Sequence, residues 1–307
     1  VNKHSDTERP LRIGTRGSPL ALVQAEAVKW ALGGGEIVTV STAGDRDRKA
    51  RLADLGGKGV WTKELERALI EGEIDLAVHS LKDVESERPA GLVVCATLPR
   101  ADVRERLIGP PSLDDLESGM RLGTSSPRRE AQLRRRIPGL VVEPLRGNVD
   151  TRLAAIEEGR FDATLLASAG LERLGRTGVG VPVAVADMLP APGQAAIAIE
   201  TRADDAQVRA RAADISDADT FLAVSAERAF ARRLGGTCHS PVAALAVRKE
   251  EGFLLRAEIL SEDGADLCRG AAEFAASVGD AETVGARLAD DLMAEAPASI
   301  RSLFSWT

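Results

Sequence analysis

Residues 121–137 read RLGTSSPRREAQLRRRI, and residues 12–25 read RIGTRGSPLALVQA. Each runs from a strand-like start through Gly-Thr to a serine, a proline and a helical stretch. The serine stands where an N-cap belongs, and the proline falls in the first helical turn, which tolerates it. One strand-turn-helix unit written twice predicts two related α/β domains rather than one long sheet. The flanks agree. EIVTVST (36–42), DLAVHS (75–80) and GLVVCATL (91–98) read as strands around a helix at 61–74. GLVVEPLRG (139–147) and FDATLLASAG (161–170) read as strands around a helix at 148–160. Such alternation implies mainly parallel sheets. APGQAAIAIETR (191–202) reads as a strand leading out of the second unit and back to the first. An amphipathic helix (217–234), three strands at hairpin spacing (242–249, 253–260, 267–274) and a last helix (281–296) make a small α+β C-terminal domain. The expected domains are 1–98 with 196–213, then 99–195, then 214–307. The charged, glycine-punctuated stretch AGDRDRKARLADLGGKG (43–59) is expected to be a mobile loop.

At 307 residues the chain is too long for one ordinary core. Its 44% hydrophobic and 28% charged content are those of a soluble globular protein. VNKHSDTERP is polar and no membrane-length apolar run follows, so no membrane is expected and the expected location is cytoplasmic. A net charge of −7 argues against nucleic acid, and 3% aromatics without tyrosine leave few stacking platforms for bases. Three cysteines, an odd count, suggest reduced thiols rather than a disulfide framework. Cys95 and Cys268 lie in strand-like runs as small apolar residues. Nothing has zinc-site spacing, so no metal is expected. GGKG around Lys58 lacks the upstream glycine and the Ser or Thr of a phosphate-binding P-loop.

The placement of the arginines suggests an anion site, with a solvated basic helix, which Arg134, Arg135 and Arg136 would suit, as the alternative. Ser126 and Pro127 open a helix, so Arg128 and Arg129 fall in its first turn, where cations oppose the dipole. A bound anion reverses that sign. Arg16 precedes the equivalent Ser18-Pro19 start, Arg146 and Arg173 fall at strand ends, and Arg152 lies one turn into a helix. Ligands of open α/β sheets bind beyond the carboxyl ends of the strands, and guanidinium forks suit carboxylates. HSLKDV (79–84) sets Lys82 and Asp83 at the edge of the same cleft, where an ionised Asp83 would balance a developing cation and pass protons. His79, at the end of an apolar strand, reads as structural. In ARRLGGTCHSP (231–241) a thiol, Cys238, stands in a glycine-flanked turn. On its own that turn reads as a free surface thiol.

Together, IGTRGSPLALVQA, LGGKG, HSLKDV, GTSSPRR, LRGNVDTRL, ASAGLERLG, LPAPGQ and the Cys238 turn, in this order, closely resemble the porphobilinogen deaminase (hydroxymethylbilane synthase) family of tetrapyrrole biosynthesis. The resemblance runs from Leu11 to the C-terminal helix. It implies two α/β domains folded like periplasmic solute-binding proteins plus the small third domain. It implies a dipyrromethane cofactor held by Cys238 through a thioether, and a monomer that adds four porphobilinogen units to this primer with loss of ammonia. Asp83 would be catalytic. Lys82, Asp83, Ser126, Arg128, Arg129 and Arg152 would hold the cofactor, and Arg16, Ser18, Lys58, Arg146, Arg152, Arg173 and Gln194 the substrate. Three departures stand out: Thr237 for the second glycine of Gly-Gly-Cys, Glu85 for the proline of HSLKDVP, and Ala195 for the last glycine of GQG. Two rival readings share some features. A two-lobed anion-binding or sensing protein would use the arginines but neither Cys238 nor Asp83. A hydrolase using Cys238 and His239 would need adjacent residues on one turn to face each other.

Overall fold

The computed structural model describes residues 9–41, 62–235 and 240–306. The predicted loop at 43–59, with Lys58, and Cys238 with its turn lie outside the described residues. The first lobe opens with β1 (Arg12–Arg16), α1 (Pro19–Ala31), β2 (Glu36–Val40), α2 (Lys63–Ile70), β3 (Leu76–Ser80) and β4 (Leu92–Thr97). The second holds β5 (Glu105–Ile108), β6 (Arg121–Gly123), α3 (Pro127–Arg136), β7 (Val141–Glu143), α4 (Val149–Glu157), β8 (Ala163–Ala167), α5 (Ser168–Arg173) and β9 (Val181–Pro182). The chain then runs through β10 (Ile197–Arg202) and α6 (Ala206–Asp214). Last come α7 (Ala218–Arg233), β11 (Val242–Arg248), β12 (Phe253–Leu260), β13 (Leu267–Phe274), α8 (Val278–Glu295) and α9 (Ala298–Arg301).

The sheets carry the predicted duplication. Their strand orders are β2-β1-β3-β10-β4 and β7-β6-β8-β5-β9. In each, four strands run parallel and the strand at the fourth position runs against them, β10 in one lobe and β5 in the other. The paired motif has a packing cause. A Cβ on Gly14 would come within 2.2 Å of Ile74 Cδ1, and one on Gly123 within 2.7 Å of Leu145 Cδ2. A side chain at either place would force the facing side chains to shift. Ser18 Oγ then accepts from Ala21 N at 3.3 Å and Ser126 Oγ from Arg129 N at 3.4 Å, each beside a proline in the first turn.

Three details depart from the sequence reading. The run FDATLLASAG ends as a strand at Ala167, and Ser168 to Arg173 turn into α5, so Arg173 closes a short helix rather than a strand. Arg146 lies beyond β7, which stops at Glu143. The strand β5, with the sequence ERLI, and the helix α6 carried no periodicity that marked them.

The third unit is an antiparallel sheet, β11-β12-β13, covered by α7 and α8, with Phe230, Phe253, Leu255 and Ile259 in its core. It is tied to both segments that cross between the lobes. Fully buried Glu227 on α7 accepts from Arg100 Nη1 and Nη2 at 2.6 and 3.0 Å, from Gly193 N at 2.7 Å and from Ala246 N at 2.8 Å. Arg100 follows β4 and Gly193 precedes β10, so one carboxylate fixes both crossings. Gln132 Nε2 donates to Glu258 at 3.2 Å, and Arg135 to the Ala265 carbonyl at 2.9 Å, joining α3 to the same unit.

Candidate active site

A cleft of about 660 Å³ opens where the two lobes and α7 meet. Its walls come from the strand ends and helix starts that the duplication places opposite each other. The first lobe supplies Arg16 and Ser18 from the β1–α1 turn, and Lys82 and Asp83 from a single 3-10 turn after β3. The second supplies Ser126, Arg128 and Arg129 from the start of α3, Arg146, Arg152 from α4, and Arg173 from the end of α5. Gln194 comes from the returning crossing. Each of these sequence-selected residues borders this one cavity. So do Ala231, Ser240 and Val242, on either side of the undescribed residues 236–239 that include Cys238.

The net charge of the chain is inverted here. Arg16, Lys82, Arg128, Arg129, Arg146, Arg152, Arg173 and Arg228 face the cavity against the carboxylates of Asp83, Glu85 and Asp150. Burial, together with the neighbouring Arg129, lowers the Lys82 ammonium to about 8, with Asp83 and Glu105 opposing. Burial likewise lowers Arg152 to about 10, again with Arg129 adding to it and Asp83 opposing, and it lowers Arg173. Cations so destabilised gain most from an anion brought among them. Arg173 donates to the Ala195 carbonyl at 2.7 Å and Arg152 Nε to the Gly147 carbonyl at 3.0 Å, which fixes both side chains along the wall.

Arg128 and Arg129 differ from their expected state. Both are buried, and both pair with Glu105 of β5, which is fully buried. Arg129 reaches its carboxylate at 2.7 and 3.1 Å and the Leu165 carbonyl at 2.8 Å. Arg128 pairs with the same carboxylate and with the Leu189 carbonyl at 3.0 Å. Burial pushes the Glu105 carboxyl up, but Arg129 and Arg128 outweigh it and hold it well below the usual carboxylate range. A solvated basic helix is excluded, and the anion opposite the first turn is internal to the protein. Glu105 escaped sequence reading because a four-residue charged strand has no pattern to find. Arg228 also escaped it, as one charge among several on an amphipathic helix. His79 is structural as expected: it is buried, with Nε2 2.9 Å from Glu200, which also accepts from Arg88 at 2.7 Å.

The family model for the porphobilinogen deaminase dipyromethane cofactor binding domain matches residues 11–210, and that for the C-terminal domain of the same enzymes matches residues 221–294. The chain belongs to the porphobilinogen deaminase family. The porphobilinogen deaminase of Sphingopyxis alaskensis is 50% identical over 319 residues, covering 99% of this chain and 100% of that protein. That of Paracoccus denitrificans is 44% identical over 313 residues, covering 98% of each. Among solved structures, a periplasmic substrate-binding protein of an ABC transporter from Coxiella burnetii is 15% identical with a TM-score of 0.42, covering 71% of this chain and 96% of that one. The methionine-binding protein MetQ is 13% identical with a TM-score of 0.42, covering 69% and 89%. No helix among the described residues is long and apolar enough to cross a membrane.

Proposed function

We propose that this chain is a hydroxymethylbilane-forming transferase that adds four porphobilinogen units, each with loss of ammonia, to a dipyrromethane anchored on Cys238. The observation that carries the reading is a juxtaposition. One cleft holds Asp83, a row of cations, and the residues flanking the Cys238 turn. The cation row fits the group. Two pyrroles bring acetate and propionate side chains, and Lys82, Arg128, Arg129 and Arg152, with the Ser126 hydroxyl, would hold those carboxylates. When bound, the dipyrromethane supplies the nucleophilic pyrrole carbon onto which the product grows.

Arg16, Ser18, Arg146, Arg152, Arg173 and Gln194 would orient the incoming porphobilinogen, and Lys58 would belong to a segment covering it. Asp83 would balance the positive charge left as the substrate's aminomethyl nitrogen departs as ammonia. It would then take the proton displaced from the attacked pyrrole carbon. We further assign the domains as 1–98 with 196–213, 99–195 and 214–307, and the working form as a cytoplasmic monomer.

Intact mass of the purified protein tests the anchor: it should exceed the sequence mass by one dipyrrole unit, and Cys238→Ser should lose the excess. Asp83→Asn should lower turnover by about 10²–10⁴-fold, the usual worth of a positioned acid-base group. An unmodified, fully active protein, or near-normal turnover in Asp83→Asn, would sink the assignment. A merely solute-binding protein would bind tetrapyrrole carboxylates without either result.

A further inference from the structure

Arg228 lies on α7 ten residues before Cys238, yet its guanidinium does not reach toward the helix's own neighbours. It crosses to the stretch after Asp83. Nη1 donates to the Val84 carbonyl at 3.1 Å, and Nη2 to the Glu85 and Ser86 carbonyls at 2.9 and 3.3 Å. One turn earlier on the same helix, Val224 belongs to one buried apolar cluster with Leu81 and Val84. The 3-10 turn carrying Lys82 and Asp83 is therefore gripped from α7 at two points, one apolar and one polar. Beyond it, Arg88 anchors the far end of the stretch on Glu200 and Glu66, each at 2.7 Å.

This is the stretch where the chain has Glu85 in place of a proline. A proline limits φ of its own residue and keeps the preceding residue out of the helical region. Val84 already has φ −97° and ψ 121°, an extended conformation that a following proline would favour. The conformation that a proline at 85 would favour in the residue before it is thus present without it. We propose that Arg228 is a positioning residue that holds residues 84–86 in this shape and so fixes Asp83 relative to the helix leading to Cys238. The inference rests on Asp83 being the catalytic group. Arg228 lines the cleft, but its guanidinium hydrogen bonds go to the 84–86 backbone, so its loss should misplace Asp83.

The test uses the holoenzyme, with cofactor content checked by intact mass. Arg228→Gln and Arg228→Lys should each lower kcat about 10- to 100-fold, the scale of a small misplacement of a reacting group, with KM within about twofold. Lysine keeps the charge but cannot span three carbonyls, so it should fail nearly as badly as glutamine. Glu85→Pro added to Arg228→Lys should recover at least about threefold in kcat and raise Tm, because it restores by covalent means what the clamp supplied. Variants that fold only when Glu85→Pro is present would show the same coupling. The clamp is refuted by a loss confined to KM, by near wild-type turnover in Arg228→Lys, by no recovery with Glu85→Pro, or by failure to fold even with it. Asp83→Asn assayed in parallel separates the two ideas: if it stays active, the catalytic assignment fails, whereas an inactive Asp83→Asn with any of these outcomes sinks the clamp alone.

Discussion

Arg128 and Arg129 occupy a helix start, where cations are disfavoured, because Glu105 meets them there. An externally liganded arginine would cost the empty fold nothing to lose, and Arg129→Leu would then leave Tm unchanged or raised. The pairing reverses that expectation. The substitution removes one of two partners from a fully buried carboxylate, and should destabilise the protein by about 3–5 kcal/mol in denaturant melts. The pH dependence follows. Glu105 is held below its ordinary value of 4.5 in the folded state, so its contribution is complete above that value and is lost as pH falls through the folded one. Wild-type stability should fall on acidification below about pH 4.5, and Arg129→Leu should lose part of that slope because Arg128 alone of the two guanidiniums then holds Glu105 down. Ala195 offers a second case. Its φ is +70°, a left-handed conformation that suits glycine, and its carbonyl is the acceptor for Arg173. Ala195→Gly should relieve this strain and stabilise the fold by a net of about 0.5–1 kcal/mol, read as a raised Tm.

At the scale of elements, α7 holds its place by an unusually close crossing with α8. A Cβ on Gly285 would stand 2.3 Å from the Ala226 carbonyl oxygen, and 3.0 Å from Ala229 Cβ. Alanine is the better helix former, yet Gly285→Ala should lower stability by about 1–3 kcal/mol, because backbone cannot yield as a side chain can. Denaturant melts would check it, and a neutral or stabilised variant would mean that α8 shifts freely. Much of the element order was legible in the chain. Ser18-Pro19 and Ser126-Pro127 announced α1 and α3, and the alternating runs announced β11 to β13 with their ends nearly right. What stayed hidden was non-local. Glu105 sits in a buried strand only because arginines more than twenty positions later neutralise it, so ERLI carried no strand signal. Arg228 gave no signal of its own because its partners lie at 84–86. The cleft arginines could be found because glycine, serine and proline mark the helix starts and strand ends that carry them.

On the scale of the whole molecule, Glu227 joins the third unit to both lobe crossings through Arg100 and Gly193. Glu227→Ala would leave Arg100 and two backbone N–H groups without their acceptor, at a cost of about 3–5 kcal/mol. Calorimetry should then resolve the C-terminal unit as a separate transition, whereas the wild type melts as one. A single unshifted transition in the variant would deny Glu227 this role. The position of β10 has a consequence for biosynthesis. This strand lies between β3 and β4, and β4 pairs with it alone among the described strands. A ribosome therefore finishes the whole stretch from β5 to β9 while the earlier sheet still lacks an inner member. The second lobe, contiguous in the message, has its full set of strands first. The lobe that carries Asp83 is begun first and closed last, and until β10 emerges, β4 presents an unpaired apolar edge to whatever chaperones attend the nascent chain.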